Sequence, residues 1–126
     1  MTKEKKKEAN EFGRKAEEEV AERYLKQGYT IIERNWRLGK IEIDLIVQKD
    51  DVIVLIEVKA REEREEDALS AVDRDKRKRM IKAADVYIRN LQGQYDYRFD
   101  IATCIGDKEN FIIEIYEDAF VAADIY

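Results

Sequence analysis

The spacing of hydrophobic residues along the chain predicts two amphipathic helices. Within residues 11–26, apolar residues recur every four positions, which is the repeat of one helical face. These residues are Phe12, Ala16, Val20 and Tyr24. Gly28 follows as the expected C-terminal cap. A second helix is predicted from its N-cap Asp73 to about Leu91. Its buried face is expected to contain Met80, Ala83, Ala84, Tyr87, Ile88 and Leu91.

Runs of β-branched and aromatic residues predict five strands. They cover residues 29–36, 40–48, 52–59, 96–105 and 110–116. Turn residues at 49–51 and at 106–107 indicate two hairpins. The order of helix, three strands, helix and two strands predicts an α/β fold, in which helices flank a mixed central sheet of about five strands. We expect residues 11–126 to form a single domain and the lysine-rich residues 1–10 to be a disordered tail.

The composition restricts the chemistry that this fold can support. The chain has no histidine and a single cysteine, Cys104, which excludes Ser-His and Cys-His nucleophilic sites and the usual zinc sites. Neither a signal peptide nor an apolar run of the ~20 residues that a membrane helix needs is present, so we expect a cytoplasmic protein. Residues 107–126 hold six acids and one base, which equals the whole net charge of −5. Charge therefore neither supports nor excludes a nucleic-acid partner.

Ionisable residues interrupt the apolar strands of the first hairpin. A two-residue loop over residues 50–51 would place Asp44 opposite Glu57, and Glu42 opposite Lys59. Opposed carboxylates repel each other in a sheet unless a cation lies between them. Hard divalent ions such as Mg²⁺ are held by one or two carboxylates. This pattern indicates a metal site; the alternative is an exposed sheet face on which Glu and Lys alternate with core residues.

The position of Glu17 favours the metal site over the exposed face. On the first helix Glu17 falls within the apolar face, beside Val20, Ala21 and Tyr24. Its carboxylate is therefore expected to point at the sheet, where an unpaired buried charge would be costly. The predicted metal site is the natural partner.

Short motifs in a fixed order resemble known nucleases. Asp44, followed after twelve residues by Glu57-Val58-Lys59, resembles the PD-(D/E)xK signature, with Ile43 in place of the proline. Over about residues 12–120, the chain is also similar to the YraN family of small endonuclease-like proteins. The matching segments are Gly13 with Ala16-Glu17, Gly28-Tyr29, residues 33–37, 42–46 and 57–61, Lys76, residues 98–100 and residues 117–120.

The resemblance implies a restriction-endonuclease-like core and hydrolysis of phosphodiester bonds with Mg²⁺ or Mn²⁺. The implied substrate is DNA, branched or single-stranded, with RNA as the second choice. The resemblance also implies that Glu17, Asp44 and Glu57 bind the metal together with the Val58 carbonyl. Lys59 would orient or activate the attacking water. The expected catalytic residues are thus Asp44, Glu57 and Lys59.

Basic residues predict where nucleic acid would bind. Lys76 continues the apolar face of the second helix and is expected to point at the site. Arg74, Lys78 and Lys82 form an outward row at i+4 spacing, which either follows phosphates or keeps the surface soluble. Arg61, just after the Glu57-Val58-Lys59 motif, is a further expected contact. Arg98 and Asp100 are expected to form a structural ion pair, and Cys104 to fill core space.

Two other functions stay open at this point. One is a non-catalytic nucleic-acid-binding or protein-interaction module that retains the nuclease fold. The acidic residues 62–67 stand where the family has a Phe-Gly element, and they would hinder phosphate approach. The other is a homodimerising scaffold built on apolar residues near the C-terminus, namely Phe120, Val121, Ile125 and Tyr126.

Overall fold

A computed structural model describes residues 2–64 and 72–124. Its elements are α1 (Lys3–Lys26), β1 (Thr30–Leu38), β2 (Ile41–Lys49), β3 (Val52–Arg61), α2 (Arg74–Arg89), β4 (Asp96–Gly106) and β5 (Phe111–Phe120). The predicted α/β architecture, a five-stranded mixed sheet flanked by two helices, is confirmed. In the part of the chain that the structure describes, no helix is long and apolar enough to cross a membrane.

The sheet has the strand order β1-β2-β3-β4-β5. All neighbours are antiparallel except β3 and β4, which run parallel and are connected through α2, because a parallel pair needs a crossover. An apolar cluster covers each face. One contains Val20 and Tyr24 of α1, and the other contains Met80 and Ala83 of α2. The middle strands are therefore buried on both faces.

Several local predictions are confirmed. Gly28 ends α1 at φ +93°, and its amide donates to the carbonyl of Leu25 at 3.0 Å. The Asp73 side chain caps α2 by accepting a hydrogen bond from the Lys76 amide at 2.8 Å. Cys104 is fully buried in the α1-side cluster, and burial raises the pKa of its thiol to about 12. The thiol is therefore a core group, as expected.

The N-terminus of α1 differs from the prediction. The helix begins at Lys3, so residues 3–10 are helical and not a disordered tail. Thr2 is the N-cap, and its hydroxyl accepts a hydrogen bond from the Lys5 amide at 3.2 Å. Apolar periodicity could not reveal this segment, because its lysines and glutamates are good helix formers that extend an existing helix without burying any surface.

The last strand is longer than predicted. It continues past Tyr116 to Phe120, across a register shift and a positive φ of 52° at Asp118. The Phe120 ring stacks on Phe99 with centroids 4.7 Å apart and is only 2% exposed. Phe120 therefore belongs to the core and cannot serve a dimer surface.

Of the other residues assigned to the dimerising scaffold, Val121 is partly exposed, whereas Ile125 and Tyr126 lie outside the described residues. The homodimer stays a prediction without Phe120.

The turn between β4 and β5 depends on Gly106. This residue has φ +138°, and a Cβ atom there would lie 2.3 Å from the carbonyl oxygen of Asn110. Gly106→Ala is therefore expected to lower the free energy of unfolding by at least about 2 kcal/mol, as measured by urea denaturation. Gly13→Ala is the matched control. Gly13 lies inside α1 with open space around it, so alanine there should stabilise by about 0.5–1 kcal/mol. Equal stabilities for the two variants would contradict this account.

Candidate carboxylate–lysine site

The pairing of β2 with β3 follows the predicted register but ends early. The ladder runs from Lys49 opposite Val52 to Leu45 opposite Ile56. At the next position the Val58 amide donates to the carboxylate oxygen Oδ2 of Asp44 at 2.8 Å. A short carboxylate competes well for a nearby backbone amide. The Asp44 side chain thus takes the place of the next ladder contact.

The alternation of β2 also breaks at Asp44. Ile43 and Ile46 pack in the α2-side cluster, whereas Leu45 and Val47 pack in the α1-side cluster. A regular strand would place Ile43 and Leu45 on the same face. Asp44 therefore lies at a local irregularity, which is where the paired ladder stops.

Two predicted cross-strand pairs are consequently wrong. Neither Asp44–Glu57 nor Glu42–Lys59 is a ladder pair, since the register ends at Ile56. Glu42 instead forms a salt bridge of 3.1 Å with Arg37 on β1. Glu42 is thus paired with β1 and not with Lys59, although its charge still adds to the burial that raises the pKa of Glu17.

Glu17 and Asp44 form a carboxyl pair between α1 and β2. Burial raises the pKa of Asp44 to about 8, and the charges of Glu57 and Glu17 add to this effect. Burial also raises the pKa of Glu17, although its hydrogen bond to Asp44 opposes the change. Burial and mutual repulsion therefore favour the protonated form of these carboxyl groups, and Glu17 points at the sheet as predicted.

Glu57 is the buried carboxylate of β3, only 3% exposed. Its Oε1 accepts a hydrogen bond from Lys76 Nζ at 2.5 Å and lies 3.6 Å from Lys59 Nζ. Its Oε2 is buried and has no hydrogen-bond partner among the described residues. Buried carboxylate oxygens are rarely left unsatisfied, so Oε2 has the capacity to bind a further cation or donor.

The two lysines next to Glu57 respond differently to their surroundings. Burial lowers the pKa of Lys59. The charge of Glu57 opposes this change, whereas the charges of Lys76 and Arg61 add to it. Burial is also the largest single effect on Lys76 and acts in the same direction, but the hydrogen bond to Glu57 and the charges of Glu57 and Asp44 together outweigh it and raise the pKa of Lys76. The expectation that Lys76 points at the site is confirmed, whereas its pairing with Glu57 was not foreseen.

The remaining predicted nucleic-acid contacts lie at the end of β3 and along α2. Arg61 donates to the carbonyl of Ala60 at 2.8 Å at the end of β3. On α2, Arg74 and Lys82 are exposed and Lys78 is partly buried. Their contact with phosphate stays a prediction.

The acidic segment is only partly described. Glu62 and Glu63 are exposed, and Arg64 pairs with Glu114 on β5 at 2.7 Å. Residues 65–67 lie outside the described residues. How this segment faces the site is therefore still a prediction.

Sequence reasoning missed two arginines near the carboxyl groups. Arg37 lies opposite Glu42 in the β1–β2 ladder, and the charge of Arg34 acts to lower the pKa of Glu17. Gly39 is a signal that could have identified Arg37, because a tight turn at Gly39 sets Arg37 opposite Glu42.

The three carboxylates do not enclose a common position in this conformation. Across residues 2–64 and 72–124, no three acidic or cysteine side chains lie close enough together to hold a metal ion. Metal binding by Glu17, Asp44 and Glu57, with the Val58 carbonyl, stays a prediction. For Val58 the structure records a contact of the amide only.

Asp44→Asn is expected to stabilise the protein at high pH. The folded-state pKa of Asp44 is about 8, above its ordinary value of 3.8, so ionisation destabilises the fold. The contribution of the protonated group is complete below pH ~4 and is lost as the pH rises through about 8. Asparagine never ionises, so the variant should exceed wild type by about 1–3 kcal/mol at pH 9 and match it at pH 4.

Urea denaturation in the presence of a chelator, at pH 4 and at pH 9, measures the difference in the free energy of unfolding between Asp44→Asn and wild type. Asp51→Asn, in the exposed turn between β2 and β3, removes the same charge without the burial and should show no such pH dependence. A variant at Asp44 that is less stable than wild type at pH 9 would show that the carboxylate is not under repulsion.

Fold and site together define a mixed α/β protein with a buried carboxylate–lysine centre where β2 and β3 cease to pair. A model of the uncharacterised protein family UPF0102 matches residues 16–104. The chain belongs to this family.

Relatives of the same family cover most of the chain. A UPF0102 protein of Bacteroides thetaiotaomicron is 43% identical over 119 residues, and one of Phocaeicola vulgatus is 40% identical over 114 residues; each match covers 90% of this chain and 94% of the relative. A UPF0102 protein of Chloroherpeton thalassium is 41% identical over 120 residues, covering 91% of this chain and 92% of the relative. These matches confirm the YraN-like family, whereas membership of the PD-(D/E)xK nucleases stays a prediction.

Proposed function

We propose that this protein is a metal-dependent endonuclease that hydrolyses phosphodiester bonds in DNA, with RNA as the second choice. The observation that carries the proposal is the crowding of acidic side chains beside two lysines. Asp44 has a raised pKa because it is buried near Glu57 and Glu17, and Lys59 lies next to Glu57. Carboxylates with an adjacent lysine suit phosphate chemistry, in which a cation and positioned charges stabilise the transition state.

The chemistry of the donor set, rather than its spacing in this conformation, suits a hard divalent cation. Carboxylate oxygens are the ligands that Mg²⁺ and Mn²⁺ prefer, and Oε2 of Glu57 is buried without a partner among the described residues. Asp44, Glu57 and Glu17 would hold the ion, with the Val58 carbonyl. When bound, such an ion polarises the scissile phosphate and acidifies the attacking water.

The residues of the chain prepare the site in three ways. The Val58 amide orients the Asp44 carboxylate through its hydrogen bond of 2.8 Å. Burial raises the pKa of Asp44 and of Glu17 and so favours their protonated forms, and both groups would have to be deprotonated to act as anionic ligands. Lys59, held near Oε1 of Glu57, supplies a positive charge that orients the water and offsets charge on the phosphate.

One observation favours a non-catalytic nucleic-acid-binding module as the second candidate. Lys76 already neutralises Glu57 at 2.5 Å, so part of the acidic charge is balanced without a metal. In such a module Lys59 and Lys76 would stabilise the fold. Phosphates would bind to the basic row on α2, namely Arg74, Lys78 and Lys82.

Cleavage of circular DNA tests the proposed function and separates endonuclease from exonuclease activity. Covalently closed single-stranded and duplex circles, and a four-way junction, are incubated with Mg²⁺ or Mn²⁺. We expect wild type to cleave at least one substrate and a chelator to abolish cleavage. Asp44→Asn should reduce cleavage by about 10²- to 10⁴-fold, because the ion supplies several kcal/mol, even though the same variant is expected to be more stable.

The opposite signs of these two effects separate catalysis from folding. Asp51→Asn is the control and should cleave like wild type. If the protein binds DNA but does not cleave it with either Mg²⁺ or Mn²⁺, the proposed endonuclease activity is rejected and the non-catalytic binding module is supported.

A further inference from the structure

The first turns of α1 carry a surface that the proposed function does not use. Residues 3–10 are all exposed, and the buried face of the helix starts at Phe12. This part of α1 therefore covers no core of its own chain. The segment that was predicted to be disordered is a helical extension of about 12 Å, at 1.5 Å per residue.

One face of this extension carries three lysines, an arginine and an asparagine, and no acidic residue. Its residues recur every three or four positions and line one shallow depression: Lys3, Lys6, Lys7, Asn10 and Arg14. We call them the basic stripe. In the described structure, none of its lysines, nor its arginine, forms a salt bridge with an acidic side chain. The acids of the same segment, at positions 4, 8 and 11, lie roughly 110° away around the helix. Of these, Glu11 is paired with Lys108 at 2.8 Å.

The basic stripe leads to the carboxylate–lysine site. Continuing the spacing from Lys6 and Asn10 through Gly13 reaches Glu17 on the same side of α1. The Glu17 carboxyl lies close enough to Asp44 for the two groups to shift each other's pKa, so the stripe ends beside the carboxylate–lysine site. The distance from residue 3 to residue 17 along the helix is about 21 Å. The positive charges of the basic stripe thus lie along one side of α1, in a direction that leads to Glu17.

We propose that the basic stripe is a docking surface for the phosphate backbone of a nucleic-acid strand, which runs along α1 away from the carboxylate–lysine site. The direction of the strand rests on the proposed function, whereas the binding surface does not. A length of about 21 Å corresponds to about six nucleotides of a stacked strand at roughly 3.4 Å each. Lysines and arginines spaced along this line can contact successive phosphates.

The chemistry of the segment selects a polyanion over a membrane. A helix that binds a lipid surface needs a broad apolar face opposite its basic face. Within residues 3–12 the apolar side chains are Ala9 and Phe12, and Phe12 is buried against the chain's own core. The segment therefore has charge to offer a partner but no apolar face to insert.

A matched pair of variants tests the docking surface. The stripe variant replaces four basic residues: Lys3→Gln, Lys6→Gln, Lys7→Gln and Arg14→Gln. The control variant removes the same charge at exposed positions away from the stripe: Lys5→Gln, Arg23→Gln, Lys26→Gln and Lys40→Gln. Glutamine has a helix propensity close to that of lysine, so both variants should keep the helical circular dichroism of wild type.

Fluorescence anisotropy with labelled single-stranded DNA of increasing length gives the readout, with Ca²⁺ in place of Mg²⁺ to prevent cleavage. For the stripe variant we expect at least a tenfold loss of affinity at low salt. The slope of log K against log salt should fall by about 2–3, since four phosphate contacts contribute about 0.7 each on a single strand. The control variant should stay within about threefold of wild type.

Length dependence tests the direction of the strand. The affinity of wild type should rise as the DNA is extended to about six nucleotides beyond the scissile phosphodiester bond. The affinity of the stripe variant should not rise with this extension. Equal losses in the two variants, or no loss in the stripe variant, would overturn the proposal. The proposal would also be overturned if wild type bound phosphatidylglycerol vesicles more tightly than DNA and the stripe variant no longer bound the vesicles.

These outcomes are independent of whether the protein cleaves DNA. If wild type does not cleave but its binding depends on the stripe, the endonuclease fails and the docking surface remains. If wild type cleaves and the stripe variant shows an unchanged KM, the docking surface fails and the endonuclease remains.

Discussion

Cleavage by the Lys59→Ala variant is expected to fall by about 10²- to 10³-fold at saturating substrate, the usual effect of losing one group that stabilises transition-state charge. Lys59 Nζ lies 3.6 Å from Oε1 of Glu57 and its side chain is largely buried, so in the proposed mechanism its charge would lie beside the reacting phosphate. Affinity for uncleaved DNA should change by less than about threefold, because one phosphate contact among several is lost.

The fold is expected to survive this substitution, because Glu57 keeps its 2.5 Å contact with Lys76. Lys59→Gln, which preserves more of the side-chain volume, provides a second variant with the same expected loss of cleavage. Lys26→Ala, at an exposed position near the end of α1, is the control and should cleave like wild type. Single-turnover rates and anisotropy measure the two quantities separately. A Lys59→Ala protein that cleaves at the wild-type rate would remove this lysine from the mechanism.

Loss of the Asp100 carboxylate should produce the largest change in stability. Asp100 is fully buried and accepts hydrogen bonds from Tyr24 Oη at 2.6 Å and from the Asp118 amide at 3.0 Å. It also forms the predicted ion pair with Arg98, through contacts of 3.0 and 3.1 Å. One carboxylate thus connects α1, β4 and β5.

Asp100→Asn is expected to lower the free energy of unfolding by about 2–4 kcal/mol, because Arg98 loses its main partner and the charge-assisted hydrogen bonds to Asp100 are weakened. Tyr24→Phe is the matched control. It removes one hydrogen bond and keeps the ion pair, so it should cost about 1–2 kcal/mol. Urea denaturation at neutral pH measures both. If Asp100→Asn stays within 1 kcal/mol of wild type, the network does not hold these elements together.

The local elements of this fold are largely predictable from sequence, because each has its own signal. The apolar repeat and Gly28 locate the second half of α1, and Asp73 marks the start of α2. The register at Lys49 and Val52 follows from the two-residue loop. The elements that were missed have no such signal. Residues 3–10 bury nothing, and the extension of β5 depends on a register shift that is stabilised by the buried Phe120.

The candidate site was predicted in part for the same reason. The strand pattern predicts that Asp44 and Glu57 lie on neighbouring strands. It cannot show that the Asp44 side chain ends the ladder by accepting a hydrogen bond from the Val58 amide. Helical periodicity directs Lys76 at the sheet, but the choice of Glu57 as its partner depends on how α2 packs across β3. These contacts are tertiary, and a single sequence read by local pattern does not contain them.

The parallel pairing of β3 with β4 has a consequence for the order in which the protein folds. Val52 pairs with Asp96, 44 positions further along the chain, whereas β1, β2 and β3 are joined by tight turns. Non-local pairings form slowly, because a long loop must close before any contact stabilises it. We therefore expect the β1–β3 meander to form first. Until α2 packs and β4 joins the sheet, the nascent protein contains the carboxylates of the site without the balancing charge of Lys76, so the site is completed only in the last stage of folding.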